Sequence, residues 1–399
     1  MTTPLLQIRN LSIGFITDGR LNQVAGPLSF HLGSSETLAI VGESGSGKTV
    51  TALSILRLIP EPPGKVEGEI LFHQNETCTD LLKLSEKEMQ PIRGRSVSMI
   101  FQEPMTSLNP VYTCGDQVSE SLILHLKMKK KEAKKRVLQL FEEVLLPNPE
   151  RIFRAYPHEL SGGQKQRVMI AMAIACNPAL LIADEPTTAL DVTVQKTILH
   201  LLKGLQKSRQ MSILFITHDL GLVKGFADRV AVMHKGHIVE EGRVEEIFAN
   251  PVNPYTRGLL ACRPPLNQRP ERLPTVDSFL TGTGLHLSGV ISREERQQRH
   301  HGIYSGAPIL KVEAITRSFN GTPVLKPVSF NVWPGETLGI VGESGCGKTT
   351  LARVILELIP PTAGRVLYND TDITRLTSSR LKALRKDLQI IFQDPYSAL

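Results

Sequence analysis

The loop GESGSGKT at positions 42–49 has the residue types and the spacing needed to hold a polyphosphate. Its pattern is G-x-x-x-x-G-K-[ST], in which glycines let backbone N–H groups approach negatively charged oxygens closely. A lysine and a hydroxyl end the loop, where they can reach the terminal phosphates and a magnesium ion. The residues predicted to line this site are Gly42, Glu43, Ser44, Gly45, Ser46, Gly47, Lys48 and Thr49.

The segments on either side of the loop predict the elements that must position it. TLAIVG (37–42) reads as a short buried strand, and KTVTALSILRLI (48–59) reads as a helix with an apolar stripe. A helix that begins at the end of the loop adds the positive end of its dipole to the phosphate site. This strand–loop–helix context favours a phosphate site over a chance glycine-rich turn.

The loop occurs a second time, as GESGCGKT at 342–349. TLGIVG before it and KTTLARVILELI after it repeat the first context, so a second buried strand and helix are expected. The segment from Ile309 also parallels the opening of the chain, which predicts an internal duplication into two like domains. The predicted residues of the second site are Gly342, Gly345, Gly347, Lys348, Thr349 and Thr350.

Further polar residues follow apolar runs that read as buried strands. Gln102 follows MIF, the pair Asp184 and Glu185 follows LLIA, and His218 follows ILFIT. Strands that alternate with helices predict an α/β sheet with active residues at the strand ends. Adjacent carboxylates at such an edge can hold Mg²⁺ and polarise a water molecule for phosphoryl transfer.

The set formed by the loop, the glutamine, LSGGQ (160–164), the acidic pair and the histidine resembles the nucleotide-binding domain of ATP-binding cassette (ABC) transporters. LSGGQ is the most specific element, because other phosphate-loop families lack it. The resemblance covers nearly the whole chain except a linker. It implies a P-loop NTPase of the α/β class with a helical subdomain, duplicated here with an incomplete second copy.

The resemblance implies ATP and Mg²⁺ as cofactors and a role for each polar residue. Lys48 and the loop amides hold the phosphates, Glu185 is the general base, and His218 contacts the γ-phosphate and orients water. Gln102 senses Mg²⁺ and water and touches a membrane subunit. The residues implied in catalysis are Glu185, His218, Gln102 and Lys48, and those implied in metal binding are Thr49, Gln102 and Asp184, with Thr349 and Gln393 in the second copy.

Other nucleotide contacts are implied outside the loop. In the family, the LSGGQ helix tip crosses a head-to-tail dimer and faces the γ-phosphate held by the partner cassette, which suits a helix N-terminus capped by a serine. Phe15 and Phe319 either stack on adenine or belong to the core. The remaining predicted contacts are Ser161, Gly162, Gly163, Gln164, Asp191 and, in the second copy, Gln393.

The segments FQEPMTSLNP and NPYTRGLL resemble the ATPase subunits of peptide-type importers, the dipeptide, oligopeptide, nickel and glutathione group. The implied domains are a complete cassette at 1–262 with an extension at about 240–275, a linker at 263–306, and the start of a second cassette at 307–399. The implied partners are two integral membrane permease subunits, a solute-binding protein and another cassette, at the cytoplasmic face of the bacterial inner membrane.

The second copy repeats the loop and a glutamine, but LSGGQ, the acidic pair and the histidine do not recur. We therefore expect a fragment of a longer protein or the product of a premature stop, with apolar faces left uncovered. One composite site can still be assembled in principle, from Lys348 and Ser161. It lacks a general base of its own.

Composition limits the alternatives. The chain is 41% hydrophobic and 21% charged, as is ordinary for a globular protein, and no apolar run reaches the length of a membrane span. Its five cysteines form no C-x-x-C, so no zinc or iron–sulfur site is expected. The basic run KMKKKEAKKR is interpreted as a solvated helix face, with anionic lipid or nucleic acid as alternative partners, and no nucleic acid is expected.

The leading hypothesis is an ATPase that energises the import of peptides or related solutes. A soluble twin-cassette ATPase that acts on ribosomes or nucleic acid is the first alternative. Such proteins tend to carry a long charged linker, a coiled-coil insertion or zinc-binding cysteines. None is evident here, and between Lys48 and Ser161 there is no C-x-x-C and no sustained heptad pattern. A non-catalytic truncated product is the second alternative.

Overall fold

The computed structural model divides the chain into two units, Met1–Gly289 and Val290–Leu399. Each unit is described separately. The described residues are 3–74, 77–102, 107–188, 190–263, 265, 267–281, 289–343 and 345–392.

The strands of the first unit form two sheets. An antiparallel sheet has the order β2-β1-β4-β5, and a mainly parallel sheet has the order β10-β9-β3-β8-β7-β6. The strands are β1 (Leu6–Thr17), β2 (Arg20–Leu32), β3 (Thr37–Val41), β4 (Gly64–Gln74), β5 (Thr77–Asp80), β6 (Val97–Ile100), β7 (Leu180–Asp184), β8 (Ser212–Thr217), β9 (Arg229–His234) and β10 (His237–Arg243).

The parallel sheet is central because both of its faces are covered. Every residue of β3, β7 and β8 is buried, which explains why these strands read as continuous apolar runs rather than as alternating patterns. Successive side chains still point to opposite faces. One set packs towards the antiparallel sheet: Leu38, Ile40, Leu180, Ile182, Leu214 and Ile216. The other packs with the helices: Ala39, Val41, Leu181, Ala183, Ile213 and Phe215.

The register of the parallel strands brings the predicted site residues to one edge. Val41 pairs with Thr217, and Asp184 pairs with Ile216. The phosphate loop, Glu185 and His218 therefore all lie at the same edge of the sheet, each directly after the end of its strand. This is the edge at which open α/β sheets bind ligands.

The helices of the first unit alternate with strands, as predicted. The helices between residues 114 and 174 form the helical region that the family resemblance implies. The helices of the unit are α1 (Lys48–Ile55), α2 (Glu86–Met89), α3 (Cys114–Leu126), α4 (Lys130–Glu143), α5 (Pro149–Arg154), α6 (Gly162–Ile174), α7 (Val192–Arg209), α8 (Leu220–Val223), α9 (Val244–Ala249), α10 (Pro254–Ala261) and α11 (Val276–Leu280), with single 3₁₀ turns at Leu81–Lys83 and Pro157–Glu159. No helix in the described part of the chain is long and apolar enough to cross a membrane.

The second unit has a four-stranded sheet in the order β12-β11-β13-β14, which repeats the order of the first antiparallel sheet. Its small core includes Val312, Ile315, Val354 and Val366. The elements are β11 (Leu310–Phe319), β12 (Thr322–Val332), β13 (Ala363–Tyr368), β14 (Thr371–Asp372), helices α12 (Arg293–Tyr304), α13 (Lys348–Ile355) and α14 (Ser378–Leu384), and a 3₁₀ turn at Ile373–Arg375.

The strand predicted at TLGIVG (337–342) is wrong for this structure, where the segment has no regular secondary structure. In the first unit β3 is hydrogen-bonded on both sides, by β8 and β9. The described residues of the second unit hold no strands in those two places, so TLGIVG has no partner. Its apolar side chains are uncovered, as expected, with Val341 at 93% exposure.

Candidate nucleotide site

The first phosphate loop is shaped by glycines that no other residue can replace without strain. Gly45 and Gly47 have φ of 81° and 100°, in the region that favours glycine. A Cβ at Gly42 would lie 2.1 Å from the carbonyl oxygen of Met233. The loop is thus pressed against the end of β9, and α1 begins directly after it at Lys48.

Lys48 is a buried cation that folds back over the loop. Its side chain is 4% exposed, and Nζ donates to the carbonyl oxygens of Gly42 and Glu43, both at 2.8 Å. Burial lowers the pKa of Lys48, although the carboxylates of Glu185 and Asp184 oppose that shift. A positive charge held in this position is a ready partner for an anion at the loop.

Thr49 and Asp184 lie opposite each other at the start of α1 and the end of β7. The Thr49 hydroxyl donates to Asp184 Oδ1 at 3.3 Å. The other carboxylate oxygen, Oδ2, is buried and has no hydrogen-bond partner among the described residues. A buried oxygen of this kind fits a bound cation, and one hydroxyl with one carboxylate is a typical protein share of a Mg²⁺ site, since phosphates and water supply the other ligands.

Glu185 is the centre of a hydrogen-bond network at the same edge. His218 Nδ1 lies 3.0 Å from Oε1, while Gln102 Nε2 donates to Oε2 at 3.2 Å. Thr188 Oγ1 also donates to Oε2, at 2.8 Å. Glu185 has φ of 46°, an unusual value for a non-glycine residue that is often found at functional sites.

The two neighbouring carboxyl groups differ in their pKa values. Burial raises the pKa of Asp184 to about 6, with Thr49 and Lys48 opposing and Glu185 adding to the shift. Burial also acts to raise the pKa of Glu185, but the hydrogen bonds from His218 and Thr188 outweigh it, and the net pKa is lowered. Environments that push two carboxyl pKa values apart are typical of acid–base sites.

Two residues of this site were not predicted from the sequence. Thr188 lies three residues after Glu185. A hydroxyl at that spacing was the sequence signal from which its contact with Glu185 could have been predicted. Tyr255 contacts the loop through the backbone N–H of Glu43, at 3.1 Å. The only sequence signal for Tyr255 was its position in NPYTRGLL.

The LSGGQ residues lie at the start of α6, where Ser161 is the N-cap residue. The Ser161 hydroxyl accepts from the N–H of Gln164, and the Gln164 side chain accepts from the N–H of Ser161 at 3.1 Å, a reciprocal cap. A Cβ at Gly163 would lie 3.1 Å from Val194, and one at Gly162 would lie 3.7 Å from Leu190. The side chains of Ser161 and Gln164 thus each accept from the other residue's backbone N–H, at an exposed helix end.

Three other predicted nucleotide contacts occupy structural positions. The Asp191 carboxylate accepts from the N–H of Val194 at 3.0 Å and caps α7. Phe15 lies in β1, packs against the core and stays partly exposed. Phe319 ends β11 and is 39% exposed, with the guanidinium of Arg317 4.6 Å from its ring centre. Their contacts with nucleotide stay predictions.

The second loop keeps the backbone shape of the first one. Gly345 and Gly347 have φ of 80° and 101°, and Lys348 Nζ donates to the carbonyl oxygens of Gly342 and Glu343, both at 2.7 Å. Thr349 is exposed and Thr350 is partly buried in the first turn of α13. Gln393 lies outside the described residues.

Asp184→Asn is expected to stabilise the nucleotide-free protein at pH 7.5 by about 3 kcal/mol. The folded-state pKa of about 6 lies above the ordinary value of 3.8, so this group's contribution to stability falls as the pH rises from about 4 to about 6. The asparagine variant has no carboxyl group at this position and therefore lacks this pH-dependent contribution to stability. Thermal unfolding of wild type and variant in EDTA, at pH 5 and pH 7.5, measures both the stabilisation and its dependence on pH.

Asp18→Asn, at an exposed turn, is the matched control and should leave the pH dependence unchanged. An asparagine variant at 184 that unfolds at a lower temperature than wild type at pH 7.5 would show that the carboxylate stabilises the apo site. That result would contradict the burial argument.

The parallel sheet, its phosphate loop and the carboxylates at the strand ends define a P-loop nucleotide-binding cassette. The chain belongs to the ABC transporter family, whose model matches residues 25–188 and 325–398. A second model, the C-terminal region of oligopeptide/dipeptide transporters, matches residues 239–281. The resemblance drawn from the sequence motifs is therefore confirmed.

Curated relatives include the glutathione import ATP-binding protein GsiA of Escherichia coli (strain K12) and that of Shigella boydii serotype 4 (strain Sb227). Each is 44% identical over 414 residues, covering 99% of this chain and 65% of the relative. The chain thus spans slightly less than two thirds of the length of these relatives.

Solved structures also match. The dimeric ATP-binding cassette MJ0796, described as a post-hydrolysis state bound to ADP and Pi, aligns with a TM-score of 0.53 and 28% identity, over 60% of this chain and 98% of that one. The cbiO1 protein of Clostridium perfringens, part of the ABC transporter complex cbiONQ, aligns with a TM-score of 0.52 and 27% identity, over 62% and 91%.

Proposed function

We propose that this chain is the ATP-binding and ATP-hydrolysing subunit of an importer for peptides or related solutes. The observation that carries the ATPase proposal is the Glu185 network beside Lys48 and Asp184. It joins, at one sheet edge, an ionised carboxylate, a buried cation and a carboxylate oxygen that has no hydrogen-bond partner among the described residues. Positioning and charge neutralisation are what phosphoryl transfer requires.

In this proposal the phosphates of ATP are bound by the loop amides and by Lys48, which exchanges its carbonyl partners for phosphate oxygens. Thr49 and Asp184 would hold Mg²⁺, whose charge neutralises the phosphate oxygens when it is bound. Glu185 accepts the proton of the attacking water. His218, Gln102 and Thr188 hold the Glu185 carboxylate in one orientation.

The LSGGQ helix tip is proposed to act on a second cassette. Ser161 and Gly162, at the start of α6, are exposed, as a surface that meets a phosphate on another cassette must be. The dimeric state of the MJ0796 cassette supports this arrangement. ATP would then join two cassettes, and its hydrolysis would release them.

The solute class is proposed from the relatives and from the extension. The GsiA relatives are named for glutathione import, and the match at residues 239–281 is to a region of peptide transporters. Both favour an importer over a twin cassette that acts on ribosomes. Two membrane permease subunits and a solute-binding protein are the proposed partners, at the cytoplasmic face of the bacterial inner membrane.

The test is nucleotide binding and phosphate release by the purified full chain, with and without Mg²⁺. We expect ATP to bind in a magnesium-dependent manner and phosphate to be released from it. Co-expression with the importer's permeases should move the chain into the membrane fraction. Absence of magnesium-dependent ATP binding, or sedimentation with ribosomes instead of membranes, would contradict the proposal.

A further inference from the structure

Tyr255 is a fully buried side chain that the hydrolysis mechanism does not use. It lies in the first turn of α10, in the region that matches the peptide-transporter extension, and its exposure is 0%. Tyrosine rarely lies wholly inside a protein unless its hydroxyl has a partner. The partner here belongs to the phosphate loop.

The start of α10 is held in place by the edge strand of the parallel sheet. The carboxylate of Glu240 on β10 accepts from the N–H groups of Val252 and Asn253, at 2.7 and 3.1 Å. Asn253 in turn caps the helix by accepting from the N–H of Tyr255 at 2.9 Å. These bonds fix the position from which the tyrosine ring enters the core.

The ring has one orientation because it is stacked. Its centroid lies 4.0 Å from that of His234, at the end of β9, with 20° between the planes. The hydroxyl is thereby directed at the loop, where it accepts from the backbone N–H of Glu43 at 3.1 Å. It also interacts with the Glu43 carboxylate, and burial raises the pKa of Tyr255 to about 12, so the phenol stays protonated.

The peptide groups of Glu43 are therefore held on both sides. Its N–H is bonded by Tyr255 and its carbonyl oxygen by Lys48 Nζ. The lysine is expected to leave that carbonyl when phosphate arrives, whereas the tyrosine can stay. Of the two, the tyrosine bond is the one that can keep the loop in shape in both states.

We propose that Tyr255 is a positioning residue that preorganises the phosphate loop, so that the extension sets the affinity of the first cassette for nucleotide. This inference rests on the proposed ATP site. A preorganised loop loses less conformational freedom on binding, which strengthens binding without altering the chemical step. A second contact of the extension, Arg263 with Asp219 at 3.6 Å, is half-exposed and contributes little.

The test is Tyr255→Phe in the full chain, which keeps the ring and its stacking and removes only the hydroxyl. We expect the Kd for MgADP and the KM for MgATP to rise about three- to tenfold, with kcat changed less than twofold. Amide hydrogen exchange of the peptide that contains Glu43 should become faster in the absence of nucleotide. Tyr304→Phe is the matched control, because Tyr304 and Glu336, which accepts from its hydroxyl, both lie in the second unit.

The outcomes separate this inference from the proposed function. If wild type binds MgATP but Tyr255→Phe has unchanged Kd and unchanged loop exchange, the positioning role is wrong while the ATP site stands. If Tyr255→Phe lowers the unfolding temperature and the active fraction but leaves KM unchanged, the role of the hydroxyl is purely structural. That result would also overturn the inference. If wild type itself binds no nucleotide, the proposed function fails first.

Discussion

Glu185→Gln is expected to reduce ATP hydrolysis by the full chain about a hundredfold or more, with little loss of MgATP binding. Glutamine has nearly the shape of glutamate and can still accept a hydrogen bond, but it cannot take a proton from water. The lowered pKa of Glu185 means that wild type presents an ionised acceptor at neutral pH. Phosphate release under saturating ATP measures the rate, and equilibrium binding measures the affinity.

Glu142→Gln is the matched control for this substitution. Glu142 lies exposed on α4 and loses the same charge without touching the site. Its rate should equal that of wild type. Hydrolysis by Glu185→Gln at more than about a tenth of the wild-type rate would show that another group accepts the proton.

Lys48→Ala is expected to weaken MgATP binding by about a hundredfold. The variant loses a buried cation and its charge-assisted hydrogen bonds to phosphate, each of which contributes more than a neutral bond. Because the chain carries a second phosphate loop, the substitution should be compared in the wild-type and the Lys348→Ala backgrounds. Binding isotherms in the presence of Mg²⁺ separate the two loops.

Lys131→Ala, on the exposed face of α4, removes the same charge at a distance and should leave the isotherm unchanged. A Lys48→Ala variant that binds MgATP as tightly as wild type would remove the electrostatic basis of the proposed site. A loss seen only with Lys348→Ala would instead move the nucleotide to the second loop.

Short-range sequence patterns predicted much of the fold and of the candidate site. The glycines of the loop, the strand before it and the helix after it lie within a few residues of one another, so local geometry decides their structure. The strand-end positions of Gln102, Glu185 and His218 were also readable, because parallel strands bring their carboxyl ends to one edge. The family was identified from the same motifs.

Contacts that depend on a turn of the chain or on neighbouring strands could not be read in this way. Thr188 joins the Glu185 network only because the turn after β7 folds back on itself. TLGIVG carries the pattern of a buried strand, yet it forms none, and the described residues of the second unit hold no strand on either side of it. A parallel strand is stabilised by hydrogen bonds from other strands rather than by its own sequence.

The sequence by itself determined the family, the two phosphate loops and the residue types that can handle a triphosphate, since these depend on backbone freedom and charge over a few residues. Tertiary structure decided which of these groups meet. It paired Tyr255 with Glu43 across 212 positions and set the pKa values of adjacent carboxyl groups apart. Within the part of the chain that the structure describes, it also left one Asp184 oxygen without a hydrogen-bond partner. The reason is that burial and hydrogen-bond partners arise only when distant segments pack together.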